Sequence, residues 1–174
     1  MASIVNNILS VLTMLGQALV VVGIVVLFFP KPRKKMFSFL EEYGLMIVGI
    51  VALVATVGSL TYSEVLHYEP CKLCWIQRIF MYPQVILIGV AMAKKDKRVM
   101  DYILPLSILG MLFALYHYLL QIGMAPIVPC SVVGYSVSCA EKFVLRFGYI
   151  TIPMMAFTAF AMNTFIAVVL KRKK

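Results

Sequence analysis

The chain has 174 residues, of which 63% are hydrophobic and 13% are charged, and its formal net charge at pH 7 is +9. A soluble domain carries about 25% charged residues, so this composition excludes an ordinary soluble globular protein. An excess of basic residues is also found in nucleic-acid-binding proteins. The positions of the basic residues along the chain distinguish such a protein from a membrane protein.

Long stretches without any charged residue dominate the sequence. A helix needs about 20 apolar residues to span a bilayer. Four of the five stretches are long enough as they stand, and the third reaches that length if its helix begins near Cys74. The sequence therefore predicts an all-α integral membrane protein with five transmembrane helices. The stretches are 1–30, 43–63, 79–93, 102–140 and 147–170.

The basic residues lie in three clusters that follow the first, third and fifth predicted spans. Lysine and arginine beside a span favour the cytoplasmic side, so all three clusters can be cytoplasmic at once. We therefore expect the N-terminus outside, the C-terminus in the cytoplasm, segments 64–78 and 123–146 outside, and no nucleic-acid partner. The clusters are Lys31, Arg33, Lys34 and Lys35; Lys94, Lys95, Lys97 and Arg98; and Lys171, Arg172, Lys173 and Lys174.

An alternative interpretation of residues 1–30 is a cleaved signal peptide. It has no basic residue before its apolar run, and the basic cluster follows it instead. We therefore expect a retained helix. Its removal would leave a four-helix unit with both ends inside.

Prolines indicate where the later spans begin and end. Pro70 biases Glu69 away from helix, so the third span is expected to start at Cys71 and Cys74, with Pro83 bending it early. The remaining prolines are expected to begin the fourth span (Pro105), to end it (Pro126 and Pro129) and to lie near the start of the fifth (Pro153).

All four cysteines fall in or beside the two segments that are expected outside. Cys71 and Cys74 form a C-x-x-C pair, which closes into a small disulfide that is readily reduced and reoxidised. If a helix starts near Cys74, its positive end and Arg78, one turn further on, both favour a thiolate at Cys74.

Cys130 and Cys139 end a short loop rich in serine and glycine. Four cysteines allow three connectivities, and local pairing of Cys71 with Cys74 and of Cys130 with Cys139 is the simplest resting form. A purely structural disulfide is one interpretation of the second pair. Beside a C-x-x-C on the same side of the membrane, the alternative is a pair that exchanges electrons with it.

Metal sites and haem fit the cysteine pattern less well. Structural zinc commonly uses two short C-x-x-C pairs, whereas eight residues separate Cys130 from Cys139 and no histidine adjoins either pair. Covalent haem requires C-x-x-C-H, and Trp75 occupies the histidine position. We expect no metal.

Three polar residues are candidates for binding an electron acceptor. Arg78 either lies at the lipid interface as a snorkelling cation or polarises a carbonyl oxygen of the acceptor, with Gln77 as a neighbouring hydrogen-bond donor. His117, toward the outer end of the fourth span, is either a bundle contact or a proton donor.

These motifs together resemble the bacterial DsbB family, and more closely its BdbC branch of small quinone-dependent disulfide-forming membrane proteins. The resemblance spans about residues 40–170. It implies an antiparallel four-helix transmembrane bundle at 40–174, with residues 1–30 as an additional N-terminal helix, since the usual member has four spans. The motifs are Cys71-x-Leu73-Cys74-x-x-Gln77-Arg78, Met81-Tyr82-Pro83 and Cys139-Ala140-Glu141.

The resemblance also implies an activity in the bacterial cell membrane. A thioredoxin-fold oxidase of the DsbA or BdbD kind would form a mixed disulfide with Cys130 and leave oxidised. Electrons would pass from Cys130 and Cys139 to Cys71 and Cys74, and from Cys74 to a quinone, either menaquinone or ubiquinone. Arg78, Gln77 and His117 would lie at the quinone site.

Two other functions remain open on the sequence. A relative of vitamin K epoxide reductases would carry its C-x-x-C after the loop pair, whereas here it comes first. A non-catalytic membrane protein with structural disulfides would carry more polar residues deep in its spans than His117 and Gln121.

Overall fold

The computed structural model describes residues 2–94, 96–124 and 138–171, and five long helices account for most of them. All five are long and apolar enough to cross a membrane. The predicted all-α membrane class with five spans is therefore confirmed. The helices are α1 (Ala2–Leu27), α2 (Pro30–Leu60), α3 (Lys72–Lys94), α4 (Met100–Gln121) and α5 (Ile152–Lys171).

Helices α2 to α5 form a four-helix bundle in which neighbours run antiparallel. In the N-terminal half of α2, a Cβ placed on Gly44 would lie 3.0 Å from Leu170, at the end of α5. At the other end, the Tyr62 hydroxyl, one turn past α2, donates to Met155 Sδ near the start of α5 at 3.7 Å. Consecutive helices joined by short connections produce this up-and-down arrangement.

Helix α1 lies outside the bundle and packs against α5 and α2. It runs parallel to α5, because Gly16 meets Thr158 while Gly23 meets Phe165, further along both helices. Small residues let helix backbones approach closely in a membrane. The buried residues of α1 are all small: Ser10, Thr13, Gly16 and Gly23.

Two helix starts differ from the prediction. Helix α2 already begins at Pro30, so the first basic cluster occupies its N-terminal turns instead of a loop, and proline is well suited to a first helical position. Helix α4 begins at Met100, so the prediction that Pro105 starts this span is wrong. Asp101 stabilises the earlier start, because it favours a helix N-terminus and pairs with Lys171 Nζ at 3.0 Å.

Other boundaries agree more closely with the prediction. Helix α5 starts at Ile152 with Pro153 as its second residue. The residues before it form a tight turn in which Phe147 and Gly148 have positive φ, and this turn delays the helix relative to the apolar stretch. Pro126 and Pro129, expected to close the fourth span, lie outside the described residues.

A polar cluster at the centre of the bundle joins three helices. Asn163 Nδ2 donates to Gln84 Oε1 at 2.9 Å, and the Ser107 hydroxyl donates to the same oxygen at 3.3 Å. All three side chains are fully buried. Interhelical hydrogen bonds of this kind contribute about 0.6–2 kcal/mol each in membranes. The chain thus has more deep polar residues than the two that sequence reasoning found, which weakens that argument against a non-catalytic protein.

Helices α4 and α5 can approach closely because Gly110 has no side chain. A Cβ at Gly110 would overlap the ring of Phe160, which is itself fully buried and has no room to move. Gly89, in α3, has open space where its Cβ would lie. Alanine substitutions at these two glycines therefore distinguish the effect of packing from the effect of helix propensity.

We predict that Gly110→Ala destabilises the bundle by about 1–3 kcal/mol, the usual cost of overpacking a core. Gly89→Ala is the matched control and should be neutral or slightly stabilising, since alanine is the better helix former. Thermal unfolding of the purified protein in detergent measures both. Equal midpoints for the two variants would show that the Gly110–Phe160 contact does not limit packing.

Candidate functional site

The C-x-x-C pair lies at the N-terminus of α3. Cys71 directly precedes the first helical residue, Lys72, and its carbonyl accepts the Trp75 backbone N–H at 3.2 Å. Cys74 lies within the first turn. The helix thus starts at the cysteine pair as predicted, two residues upstream of Cys74. The positive end of the helix is consequently beside Cys71.

The two thiols are close but not bonded. Cys71 Sγ and Cys74 Sγ are 3.3 Å apart within hydrogen-bonding distance, and both are free cysteines. The local Cys71–Cys74 disulfide expected as the resting form is therefore absent here, and the structure holds this pair as a dithiol. Cys71 is buried, while Cys74 is partly exposed.

The charge of this dithiol is favoured on Cys71. Its pKa is lowered to about 4, chiefly by the hydrogen bond with the Cys74 thiol; burial opposes the shift, and His117 adds to it. Sequence reasoning assigned the thiolate to Cys74 because Arg78 follows it by one turn. In the folded protein Cys71 has the Cys74 thiol at 3.3 Å and His117 Nε2 at 3.5 Å beside it.

His117, in the C-terminal half of α4, connects three parts of the site. Its Nδ1 lies 3.0 Å from Gln77 Nε2, which can only donate, so Nδ1 accepts and the proton is on Nε2. That Nε2 lies 3.1 Å from the Cys139 carbonyl oxygen and 3.5 Å from Cys71 Sγ. His117 is 2% exposed. A single buried ring therefore contacts both cysteine-bearing segments.

Cys139 lies beside the first cysteine pair. It is disulfide-bonded and buried, and it packs in one cluster with Cys71, Leu73 and Leu120. The segment after it is held by Gln121 Nε2, which donates to the Glu141 carbonyl at 2.8 Å. Cys130 and the rest of its loop lie outside the described residues, so its expected role stays a prediction.

Arg78 is buried inside the protein, with 8% of its surface exposed. Its Nε donates to the Ser59 hydroxyl at 3.0 Å and its Nη2 to the Ser59 carbonyl at 3.1 Å, and the guanidinium lies 5.1 Å from the centre of the Trp75 ring. This position does not fit a cation that snorkels to the lipid interface. Ser59 belongs to α2, and sequence reasoning missed it because no local motif links it to Arg78.

These side chains converge on one cavity of about 420 Å³. Small-molecule sites commonly have volumes of about 300–1,000 Å³. The cavity has one polar end, and the remaining walls are mostly apolar side chains of α1, α2 and α5. All three residues predicted to bind an acceptor therefore line the same space as the thiols. The polar end includes Cys71, Cys74, Gln77, Arg78, His117 and Gln121, and the lining also contains Ser59, Glu69, Ser138 and Glu141.

The same thiols and imidazole form a set of donors that could hold a metal ion. One ligand atom from each of Cys71, Cys74 and His117 lies within 4.8 Å of the others. Along the chain no histidine adjoins the cysteines, but the packing of α4 on α3 brings His117 beside them. The expectation that the chain binds no metal stays a prediction.

Comparison with known proteins gives a consistent result. Residues 41–170 match the family model described as disulfide bond formation protein DsbB. Disulfide bond formation protein C of Bacillus subtilis is 43% identical over 127 residues, which cover 72% of this chain and 90% of that protein. No solved structure gave a significant match.

Two further relatives carry similar names. Probable disulfide formation protein C of Bacillus cereus is 42% identical over 120 residues, covering 69% of this chain and 86% of the relative. A probable disulfide formation protein of Coxiella burnetii is 42% identical over 131 residues, covering 74% and 88%. With its redox-capable cysteines at the end of a five-helix membrane fold, the chain belongs to the DsbB family of disulfide bond formation proteins and is an oxidoreductase.

Proposed function

We propose that this protein reoxidises an extracytoplasmic thioredoxin-fold oxidase of the DsbA or BdbD kind and passes the electrons to a membrane quinone, menaquinone or ubiquinone. One observation carries the proposal: the Cys71–Cys74 dithiol and His117 line the polar end of an apolar cavity, and the disulfide-bonded Cys139 packs with Cys71 beside it. A thiol relay and a lipid-soluble acceptor both need this arrangement.

The first transfer takes two electrons from the partner. A thiolate of the reduced partner attacks Cys130, forms a mixed disulfide and releases Cys139 as a thiolate. The second partner thiol then breaks the mixed disulfide, so the partner leaves oxidised and Cys130 and Cys139 become a dithiol. The role of Cys130 rests on the family resemblance.

The second transfer moves the electrons to the C-x-x-C pair. The Cys139 thiolate attacks Cys71 of the Cys71–Cys74 disulfide and releases Cys74. Cys130 next attacks Cys139, which restores the loop disulfide and leaves Cys71 and Cys74 reduced. Two contacts support Cys71 as the point of attack: it packs in one cluster with Cys139, and His117 Nε2 is near Cys71 Sγ and the Cys139 carbonyl oxygen.

The cavity fits a quinone, which has two carbonyl oxygens on a ring and a long apolar chain. Arg78, Gln77 and His117 would hold the ring end, and the apolar walls would hold the chain. Gln121 Oε1 is buried without a hydrogen-bond partner among the described residues, so it is available to accept from a ligand hydroxyl. A bound quinone would take up two electrons and two protons while Cys71 and Cys74 close into a disulfide.

The charge distribution supports the membrane orientation that the sequence predicts. Lys31 at the start of α2, Lys94 at the end of α3 and Lys171 at the end of α5 all lie at the bundle end opposite the thiols. By the positive-inside tendency we propose that the cysteines face outward, with the N-terminus outside and the C-terminus in the cytoplasm of a bacterial cell.

The two alternative functions are less well supported. A vitamin K epoxide reductase relative would have the opposite order of cysteine pairs, and residues 41–170 match the DsbB model. In a non-catalytic protein, disulfides serve stability, whereas Cys71 and Cys74 are free thiols that line a cavity.

Arg78 tests the acceptor site. In Arg78→Met the charge and the bonds to Ser59 are lost, and charged hydrogen bonds contribute about 1.5–3 kcal/mol, so we predict a drop in quinone-reduction efficiency of about 10- to 100-fold. Arg78→Lys keeps the charge without the planar fork and should lose less. The measurement is quinone reduction by the purified protein with a reduced thioredoxin-fold donor.

Controls for this experiment come from the same chain. Arg146→Met removes an exposed arginine hydrogen bond, from Nη2 to the Ser3 hydroxyl, away from the cavity, and should leave the kinetics unchanged. Cys74→Ala should abolish quinone reduction. Wild-type kinetics in Arg78→Met would return this arginine to a purely structural role.

The pKa of Cys71 predicts how the reduced protein titrates. Because this pKa is lowered to about 4, the thiolate should persist down to mildly acidic pH and be lost only as the pH falls through that value. Cys74→Ala removes the main hydrogen-bond partner of Cys71, so the titration should move to higher pH. Thiolate ultraviolet absorbance of the reduced protein, followed during acidification, measures both. An acid-stable thiolate that survives in Cys71→Ala would place the charge elsewhere.

A further inference from the structure

Helix α1 lies outside the part of the chain that matches the DsbB family model, yet it forms one wall of the redox cavity. The family match begins at residue 41, and α1 ends at Leu27. The face of α1 that lines the cavity extends over three turns of the helix. It consists of Leu9, Leu12, Thr13, Leu15, Gly16 and Leu19.

The cavity is elongated along the helices. On α2 its lining extends from Ser59, the partner of Arg78, back to Ile50, a distance of about 14 Å at 1.5 Å per residue. On α1 it extends from Leu9 to Leu19, about 15 Å. The charged side chains, the amides and the imidazole of the lining lie at the end near the thiols, and the remainder is apolar apart from the hydroxyls of Thr13 and Thr158. A ligand that fills this space must therefore have a compact polar head and a long apolar part.

The cavity borders the surface that would face lipid. Leu15, Leu19 and Ile50 line it and are 56%, 63% and 52% exposed. Apolar side chains exposed on a membrane-spanning helix lie against lipid tails. A ligand dissolved in the membrane thus has a lateral route between α1 and α2.

Hydrogen bonds fix helix α1 to α5 and to the turn that precedes α5. Gln17 Nε2 donates to the Thr158 hydroxyl at 3.2 Å, and the Tyr149 hydroxyl donates to Gln17 Oε1 at 2.8 Å. A Cβ at Gly16 would lie 2.8 Å from Met162 Sδ, so the two helices are in close contact there. These contacts hold α1 on α5, and Gly16 lies where this helix contact meets the cavity.

We propose that α1 completes a binding site for the prenyl chain of the quinone. The chain lies between α1 and α2 against α5, and the ring lies at the thiols. Without α1 this side of the cavity would be open to lipid. The inference rests on the proposed function and assigns a role to the additional helix: it selects acceptors that carry a long apolar chain.

Leu12 and Val11 provide a matched pair of variants. Both are half-exposed apolar residues of α1, at 46% and 48%, but Leu12 lines the cavity and Val11 does not. Leu12→Trp should raise the KM for a long-chain quinone about fivefold or more by overfilling the chain site. It should leave the kinetics with a chainless quinone unchanged, and Val11→Trp should alter neither.

Photocrosslinking provides a measurement that does not depend on turnover. A quinone with a photoreactive group at the end of its prenyl chain should label peptides of α1 in the wild-type protein, and labelling should fall in Leu12→Trp but not in Val11→Trp. Labelling confined to other helices would overturn the inference.

The kinetic outcomes separate this inference from the proposed function. If the wild-type protein reduces both quinones and Leu12→Trp affects both equally or neither, the role of α1 is wrong and the proposed function stands. If the wild-type protein reduces neither quinone with a dithiol donor, the proposed function fails, and the inference fails with it.

Discussion

The buried ring of His117 is the contact that the redox site depends on. Its Nδ1 contacts Gln77 of α3, and its Nε2 contacts both Cys71 Sγ and the backbone carbonyl of Cys139. A buried polar ring is costly unless its nitrogens find partners, so these contacts fix where the segment carrying Cys139 can lie. Cys71 and Cys139, far apart in the chain, are thereby brought into one buried cluster.

The rest of the bundle keeps this arrangement in place. Gly110 lets α4 pack closely on Phe160 of α5, and Gln84 accepts hydrogen bonds from the helices on either side. Near the site, Ser59 holds Arg78, so the guanidinium stays at the polar end of the cavity. The residues that hold the helices together at the centre of the bundle are therefore different from the residues of the redox site at one end.

Sequence patterns predict the features that depend on local chemistry. Charge-free length predicts the five spans, and Pro70 predicts a helix start at the cysteine pair. The start of α4 is missed because the Asp101–Lys171 ion pair joins residues 70 positions apart. The bond of Ser59 to Arg78, the position of His117 beside Cys71 and the wall that α1 contributes are likewise tertiary contacts. No spacing rule along the chain indicates them.

Sequence patterns also do not predict which thiol of the Cys71–Cys74 pair carries the negative charge. Spacing along α3 favours a thiolate at Cys74, since Arg78 is one turn away. In the folded protein Arg78 bonds to Ser59, and Cys71 has both His117 and the Cys74 thiol beside it. Which thiol carries the charge is therefore decided by the neighbours that packing supplies, and these come from three different helices.

The central claim is that electrons pass between the pairs through Cys139 and Cys71. The most direct measurement uses the full-length double variant Cys74→Ala, Cys130→Ala, mildly oxidised and examined by mass spectrometry without reduction. The remaining two cysteines should form a Cys71–Cys139 disulfide readily, because they already pack together. The matched variant Cys71→Ala, Cys130→Ala should form its Cys74–Cys139 bond more slowly. Two persistent thiols in the first variant, or equal rates in both, would contradict the relay.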